Sequence, residues 1–151
     1  LGSCFELTLV VAFRKSRTNN AEFEKLLDNM SDAMHDRISA ELRKNANSLA
    51  EDIRSSAPSE DGDLRASVRI EDRTDQRNPK VYVRAGGQKT TKTTAAGPYD
   101  YANATEFGTA KQSARPFFYP TVRRRLPGIR KNIDRALRTV LDLNVKTGRT
   151  R

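Results

Sequence analysis

The sequence predicts a single α+β domain: a long N-terminal helix, a small antiparallel β-sheet and a C-terminal helix packed on the sheet. Three observations predict it. Two stretches, residues 21–57 and 120–143, carry apolar residues at spacings of three and four. Between them, residues 65–72 and 80–85 alternate apolar and polar. The chain has 151 residues, and at roughly 100–200 residues per domain that allows one domain and argues against two. The expected organisation is an N-terminal extension over residues 1–20, a domain over 21–143 and a basic tail over 144–151.

Leu1–Cys4 precedes the first patterned residues and predicts no element of the fold. Phe5, Leu7, Leu9, Val11 and Phe13 then fall on one face of a strand over residues 5–14. This run is too short, and lacks the basic leader, for a secretory signal. Residues 15–20 read as a loop. The helix over 21–57 has a stripe from Phe23 through Leu27, Met34, Ile38, Leu42 and Leu49 to Ile53. Asn20 caps its start and Pro58 ends it. A continuous helix of that length reaches about 55 Å at 1.5 Å per residue, so it either breaks near residues 28–31 or projects toward a neighbour.

After an acidic turn with Gly62, the strand over 65–72 places Val68 and Ile70 inward and Ser67 and Arg69 outward. The strand over 80–85 pairs with it as an antiparallel hairpin. Residues 86–98, GGQKTTKTTAAGP, hold no large apolar side chain and are expected to be a mobile loop without a core anchor. Three of the four Tyr and three of the six Phe fall in YDYANATEFGT and ARPFFYPT. Pro120 suits a helix's first turn, and Pro127-Gly128 is expected to kink that helix or reset its start.

Composition excludes several classes. Hydrophobic residues make up 36% and charged ones 31%. That is polar for a globule and implies elongation, mobile segments or surfaces covered by partners. One Cys excludes an internal disulfide framework and a Cys-based zinc site. No apolar run approaches the roughly 18 residues of a membrane span. The single His, His35, lacks the companions of a metal site. Glu60, Asp61 and Asp63 do not meet the calcium-loop pattern. Glu106, between aromatics and beside Gly108, reads as a carboxylate that accepts backbone N–H bonds and pins a turn. No catalytic set, metal site or cofactor is therefore expected.

The charge is concentrated. Of the net +9, the last 29 residues carry +8, from ten basic and two acidic residues. Arg123, Arg124, Arg125, Arg130, Lys131 and Arg135, with Lys89 and Lys92 in the Thr-rich segment, are the candidate interface or phosphate-facing residues. Three consecutive helix residues span about 200° of arc, so Arg123–Arg125 cannot all be buried. No zinc-finger, helix-turn-helix or RNA-recognition signature accompanies them, so nucleic-acid contact would be to backbone phosphates.

Three motifs in order carry a resemblance: Ala57-Pro58 with Gly62-Asp63-Leu64-Arg65-Ala66-Ser67-Val68, then Tyr101-Ala102 with Glu106-Phe107-Gly108-Thr109, then Ala114-Arg115-Pro116-Phe117 with Pro120. Over residues 23–143 the chain resembles the head–tail joining, or minor tail component, family of long-tailed bacteriophages. The resemblance implies a non-enzymatic virion protein, made in the host bacterial cytoplasm and resident at the neck or head–tail junction. It implies a homo-oligomeric ring around the DNA channel, hexamer first and dodecamer second. Its partners would be head-closure or connector proteins and tail-terminator or tail-tube proteins, with non-specific contact to packaged DNA and none to membrane. Residues 86–98 and the N-terminal strand would be arms that order on assembly, the strand by adding to a neighbour's sheet. The alternative is a basic DNA-binding accessory protein gripping phosphates through its C-terminal helix.

Overall fold

The computed structural model describes residues 7–12, 32–58, 62–74, 79–95 and 97–148. The elements are β1 (Leu7–Ala12), α1 (Asp32–Ser56), α2 (Asp63–Ala66), β2 (Arg69–Asp72) and β3 (Lys80–Ala85). They continue with a 3-10 turn (Gln88–Thr90), β4 (Thr91–Thr94), β5 (Gly97–Asp100), α3 (Tyr101–Phe107) and α4 (Phe118–Gly148). The fold is α+β.

The three-stranded sheet runs β1-β3-β2, antiparallel throughout. Central β3 obeys its period-two pattern, with Val81, Val83 and Ala85 buried and Lys80, Tyr82 and Arg84 half-buried. β1 pairs with β3 of its own chain, Leu7 opposite Ala85 and Ala12 opposite Lys80. The strand expected to add to a neighbour's sheet is therefore an edge strand of its own chain's sheet. The expected strand over 65–72 also begins late. Gly62 at φ 73 starts a single helical turn through Ala66, and the strand opens only at Arg69. Ser67, expected outward, is buried and bonded to backbone on both sides.

Helix α1 buries Ile38, Leu42, Ala46, Leu49, Ala50 and Ile53 as its apolar stripe. Its last turn closes with the Ala57 N–H on the Ile53 carbonyl at 2.9 Å, before Pro58. The expected part of this helix over residues 21–31, with its Asn20 cap and possible break, lies outside the described residues, as do Cys4, Glu60 and Asp61. α1 touches all three strands of the sheet and packs along α4. The C-terminal helix reaches the core chiefly through α1, contributing Phe118, Val122, Ile129 and Val140. Pro127 sits inside α4, which is one uninterrupted element, so Pro127-Gly128 does not reset its start.

The segment over 86–98 departs most from expectation. It forms the 3-10 turn and most of a β4–β5 ribbon, Thr91 opposite Asp100 and Thr94 opposite Gly97, and Thr90 is fully buried. Hydrogen bonds anchor it where apolar side chains could not.

Candidate functional site

Asp100 ties that ribbon to the body. As N-cap of α3 it accepts from the Ala102 N–H at 2.9 Å through Oδ1. The same oxygen takes the Thr90 hydroxyl at 2.6 Å, and Oδ2 takes the Gly87 N–H at 2.8 Å. One carboxylate therefore closes the ribbon's base from three directions. Gly86 passes so close that a Cβ there would lie 2.8 Å from Asp100 Oδ2. Beneath it, the Ser67 hydroxyl accepts the Gly86 N–H at 3.0 Å and donates to the Leu64 carbonyl at 2.7 Å. The Arg69 guanidinium holds the Gly86 carbonyl at 2.8 Å. Leu64 is buried, and exposed Arg65 reaches the Ala57 carbonyl beside half-buried Pro58.

Glu106 makes a second clasp. It is buried at 4% exposure. Its Oε2 accepts the Phe117 and Phe118 N–H groups at 2.8 and 2.9 Å, and its Oε1 accepts that of Tyr119 at 2.9 Å. A helix start leaves such donors without intrahelical partners, and a carboxylate there also favours the helix dipole. Glu106 thus pins the start of α4, eleven to thirteen residues downstream. The chain returns through Gly108 at φ 76, where a Cβ would lie 2.8 Å from the Ala114 nitrogen. The Arg115 N–H then meets the Thr105 carbonyl at 2.7 Å. Phe117 and Phe118 drop into the core between exposed Pro116 and Pro120.

Phe107, the next residue, points out at 64% exposure. Its ring lies 5.9 Å from that of Tyr119. With Tyr99, at 39%, it is one of the two exposed large hydrophobics described. Half-buried Tyr101 carries the Lys92 ammonium 5.1 Å above its ring. Lys89 is exposed on the 3-10 turn. Neither lysine belongs to the basic helix.

That helix runs antiparallel to α1. The Thr121 hydroxyl donates to that of Ser56 at 3.1 Å, Arg125 pairs with Asp52 at 2.6 Å and bonds Ser48, and the Asn132 amide donates to Asn45 at 2.9 Å. The Arg123–Arg125 run is therefore divided: Arg125 turns inward to α1 while Arg123 and Arg124 are exposed. With Arg130, Lys131, Arg135 and Arg138 they make six exposed cations. Helical geometry puts them within about 140° of arc, away from the buried stripe. Pro127, Arg130, Lys131, Asp134, Arg135 and Arg138 line a shallow groove there.

His35 is half-buried and its Nε2 has no hydrogen-bond partner. Among the described residues no three His, Cys, Asp or Glu side chains could hold a metal ion, and no helix is long and apolar enough to cross a membrane. Asp100, Thr90, Ser67 and the Asp52 partner of Arg125 are not among the site residues that the sequence singles out. Asp100 alone left a signal, an Asp just before a helical stretch.

The class that emerges is a small structural domain. Its two clasp carboxylates hold backbone in place, and among the described residues its outward features include an exposed phenylalanine and a row of cations. The chain belongs to a bacteriophage tail-component family: the family model described as "Bacteriophage HK97-gp10, putative tail-component" matches residues 21–108, more than half of the chain. That family makes it a structural component of the phage virion. The match takes in the first motif group and the second as far as Gly108, so Thr109, the third group and all of α4 lie beyond it. Searches of curated proteins and of solved structures gave no match.

Proposed function

We propose that the protein is a non-enzymatic ring subunit of the head–tail junction. Its copies enclose the DNA path between head-closure or connector proteins and tail-terminator or tail-tube proteins. The carrying observation is Phe107: an apolar side chain 64% exposed, yet flanked by the Glu106 clasp and the tight Gly108 return. A large apolar side chain exposed on a backbone fastened to either side of it suits a subunit contact, since less backbone ordering entropy is lost on docking. Copies joined head to tail close into a ring when the rotation closes. Sixfold symmetry is the first expectation and twelvefold the second.

On this reading residues 21–143 are the subunit proper, residues 1–20 are an extension whose strand β1 joins the subunit's sheet, and 144–151 are a basic tail whose first residues continue α4 to Gly148. Pro58, Gly62, Leu64, Arg65, Tyr101, Glu106, Gly108, Pro116, Phe117 and Pro120 shape the subunit, and Phe107 meets a neighbour.

Quantitative mass spectrometry of purified particles, counting this chain against the major capsid protein, tests the reading. About six or twelve copies per particle fit a ring. Absence from particles would reject it and favour the DNA-binding accessory protein. The Phe107→Ser variant should keep the monomer's fold and lose oligomer by light scattering. An unchanged oligomer would remove Phe107 from the interface.

A further inference from the structure

We propose that the outer face of α4 is a contact surface for the phosphate backbone of double-stranded DNA. The inference rests on the head–tail reading for the presence of DNA and names the partner of this face. The six exposed cations run from Arg123 to Arg138, about 22 Å along the axis at 1.5 Å per residue. A duplex carries one negative charge per roughly 1.7 Å, so a row of that length faces phosphates along its whole extent. Among the described residues none of the six forms an ion pair. The Arg beside them that does, Arg125, is turned to Asp52 on α1.

The same face argues against a protein partner. Protein interfaces place aromatic and apolar anchors at their centre. The large exposed apolar side chains described are Tyr99 and Phe107, on β5 and α3 rather than on α4. DNA-contacting surfaces are polar and strongly positive instead. Five of the six cations are Arg, whose planar fork matches phosphate oxygens. Asn132, the amide on α4 between Arg130 and Arg135, is engaged with Asn45 and does not reach for bases. The contact is therefore to backbone and independent of base sequence.

The test is fluorescence anisotropy of the full chain with a short random-sequence duplex, titrated between about 50 and 200 mM salt. Four or five phosphate contacts give a slope of log K against log salt near −4, at about −0.9 per contact. The double variant Arg130→Glu/Arg135→Glu should weaken binding by about a hundredfold and flatten that slope. Arg73→Glu/Lys80→Glu makes the same charge change at β2–β3 and should cost less than about fivefold. Four results would overturn the proposal: no duplex binding at low salt, equal loss in the two double variants, a slope unchanged by the α4 variant, or polyglutamate binding as tightly as duplex. Counting the chain in particles separates the two readings. Wild-type protein present in particles but unable to bind duplex sinks the DNA contact alone, whereas its absence from particles sinks the head–tail reading.

Discussion

Replacing Glu106 by Gln tests how α4 is fastened to the body. The carboxylate accepts three backbone N–H groups, two at Oε2 and one at Oε1. A Gln amide oxygen in the Oε2 position keeps two of them without charge assistance. Its NH2 group then faces the Tyr119 N–H, donor against donor. A hydrogen bond to a charged group is worth about 1.5–3 kcal/mol, and a carboxylate at a helix N-terminus adds roughly 0.3–1 kcal/mol. Losing one bond and weakening two should therefore cost about 2–4 kcal/mol. For a chain of about this size each kcal/mol moves Tm by roughly 2–4 °C, so thermal unfolding followed by circular dichroism should show a fall of about 5–15 °C. Glu106→Asp should also destabilise, because the shorter side chain cannot span to all three donors. A fall below about 2 °C for Glu106→Gln would refute the clasp as the fastening of α4.

Further perturbations have separate outcomes. Gly108→Ala should destabilise by about 2 kcal/mol or more, because a Cβ meets the Ala114 backbone at 2.8 Å. Gly62→Ala, with open space around it but φ +73, should cost only about 1 kcal/mol; equal losses in denaturant melts would contradict this ordering. Asp100→Ala should raise hydrogen exchange at Gly87, Thr90 and Ala102 far more than along α4, and unchanged protection at Gly87 would deny its role at the ribbon's base. Asp72 is held down from 3.8 to about 2 by the Thr74 hydroxyl beside it, the Arg43 guanidinium and the Thr74 N–H. A carboxyl lowered on folding contributes stability above its unfolded pKa and loses it as pH falls through the folded one, here from about 4 to 2. Because the pair is exposed and screened, the contribution is on the order of 1 kcal/mol. Asp72→Asn should flatten the stability profile in that window, and an identical acid slope would assign the loss to other groups.

How much was legible depended on whether apolar side chains carried the structure. β3 reads directly from Val81 and Val83, and the stripes of α1 and α4 from residues such as Leu42, Leu49, Val122 and Ile129, because burial at a fixed period is what sequence displays. The turn Asp63–Ala66 was hidden because four residues make barely one helical turn, too few to display a repeat. The β4–β5 ribbon was hidden for a deeper reason. Its stretch of Thr, Lys and Gly buries almost nothing apolar, and its order comes from one carboxylate that gathers Gly87, Thr90 and Ala102. Hydrogen-bond partners ten or more residues apart leave no periodic trace. Likewise the charge count marked Arg123, Arg124 and Arg125 equally, and only the antiparallel pairing of α1 with α4 shows that Arg125 faces Asp52.

The polar contacts between those helices also act as an index. An apolar stripe repeats every turn, so Val, Ile and Leu side chains alone would accept a slip of about 5.4 Å almost as well as the native alignment. Ser56 with Thr121, Asp52 with Arg125 and Asn45 with Asn132 do not repeat, and a slip of one turn separates all three pairs together. The height of every outward group on α4 is thereby fixed relative to the rest of the subunit. In the proposed ring, identical copies would carry identical gauge marks, and separate chains would line up one continuous surface without adjusting to each other.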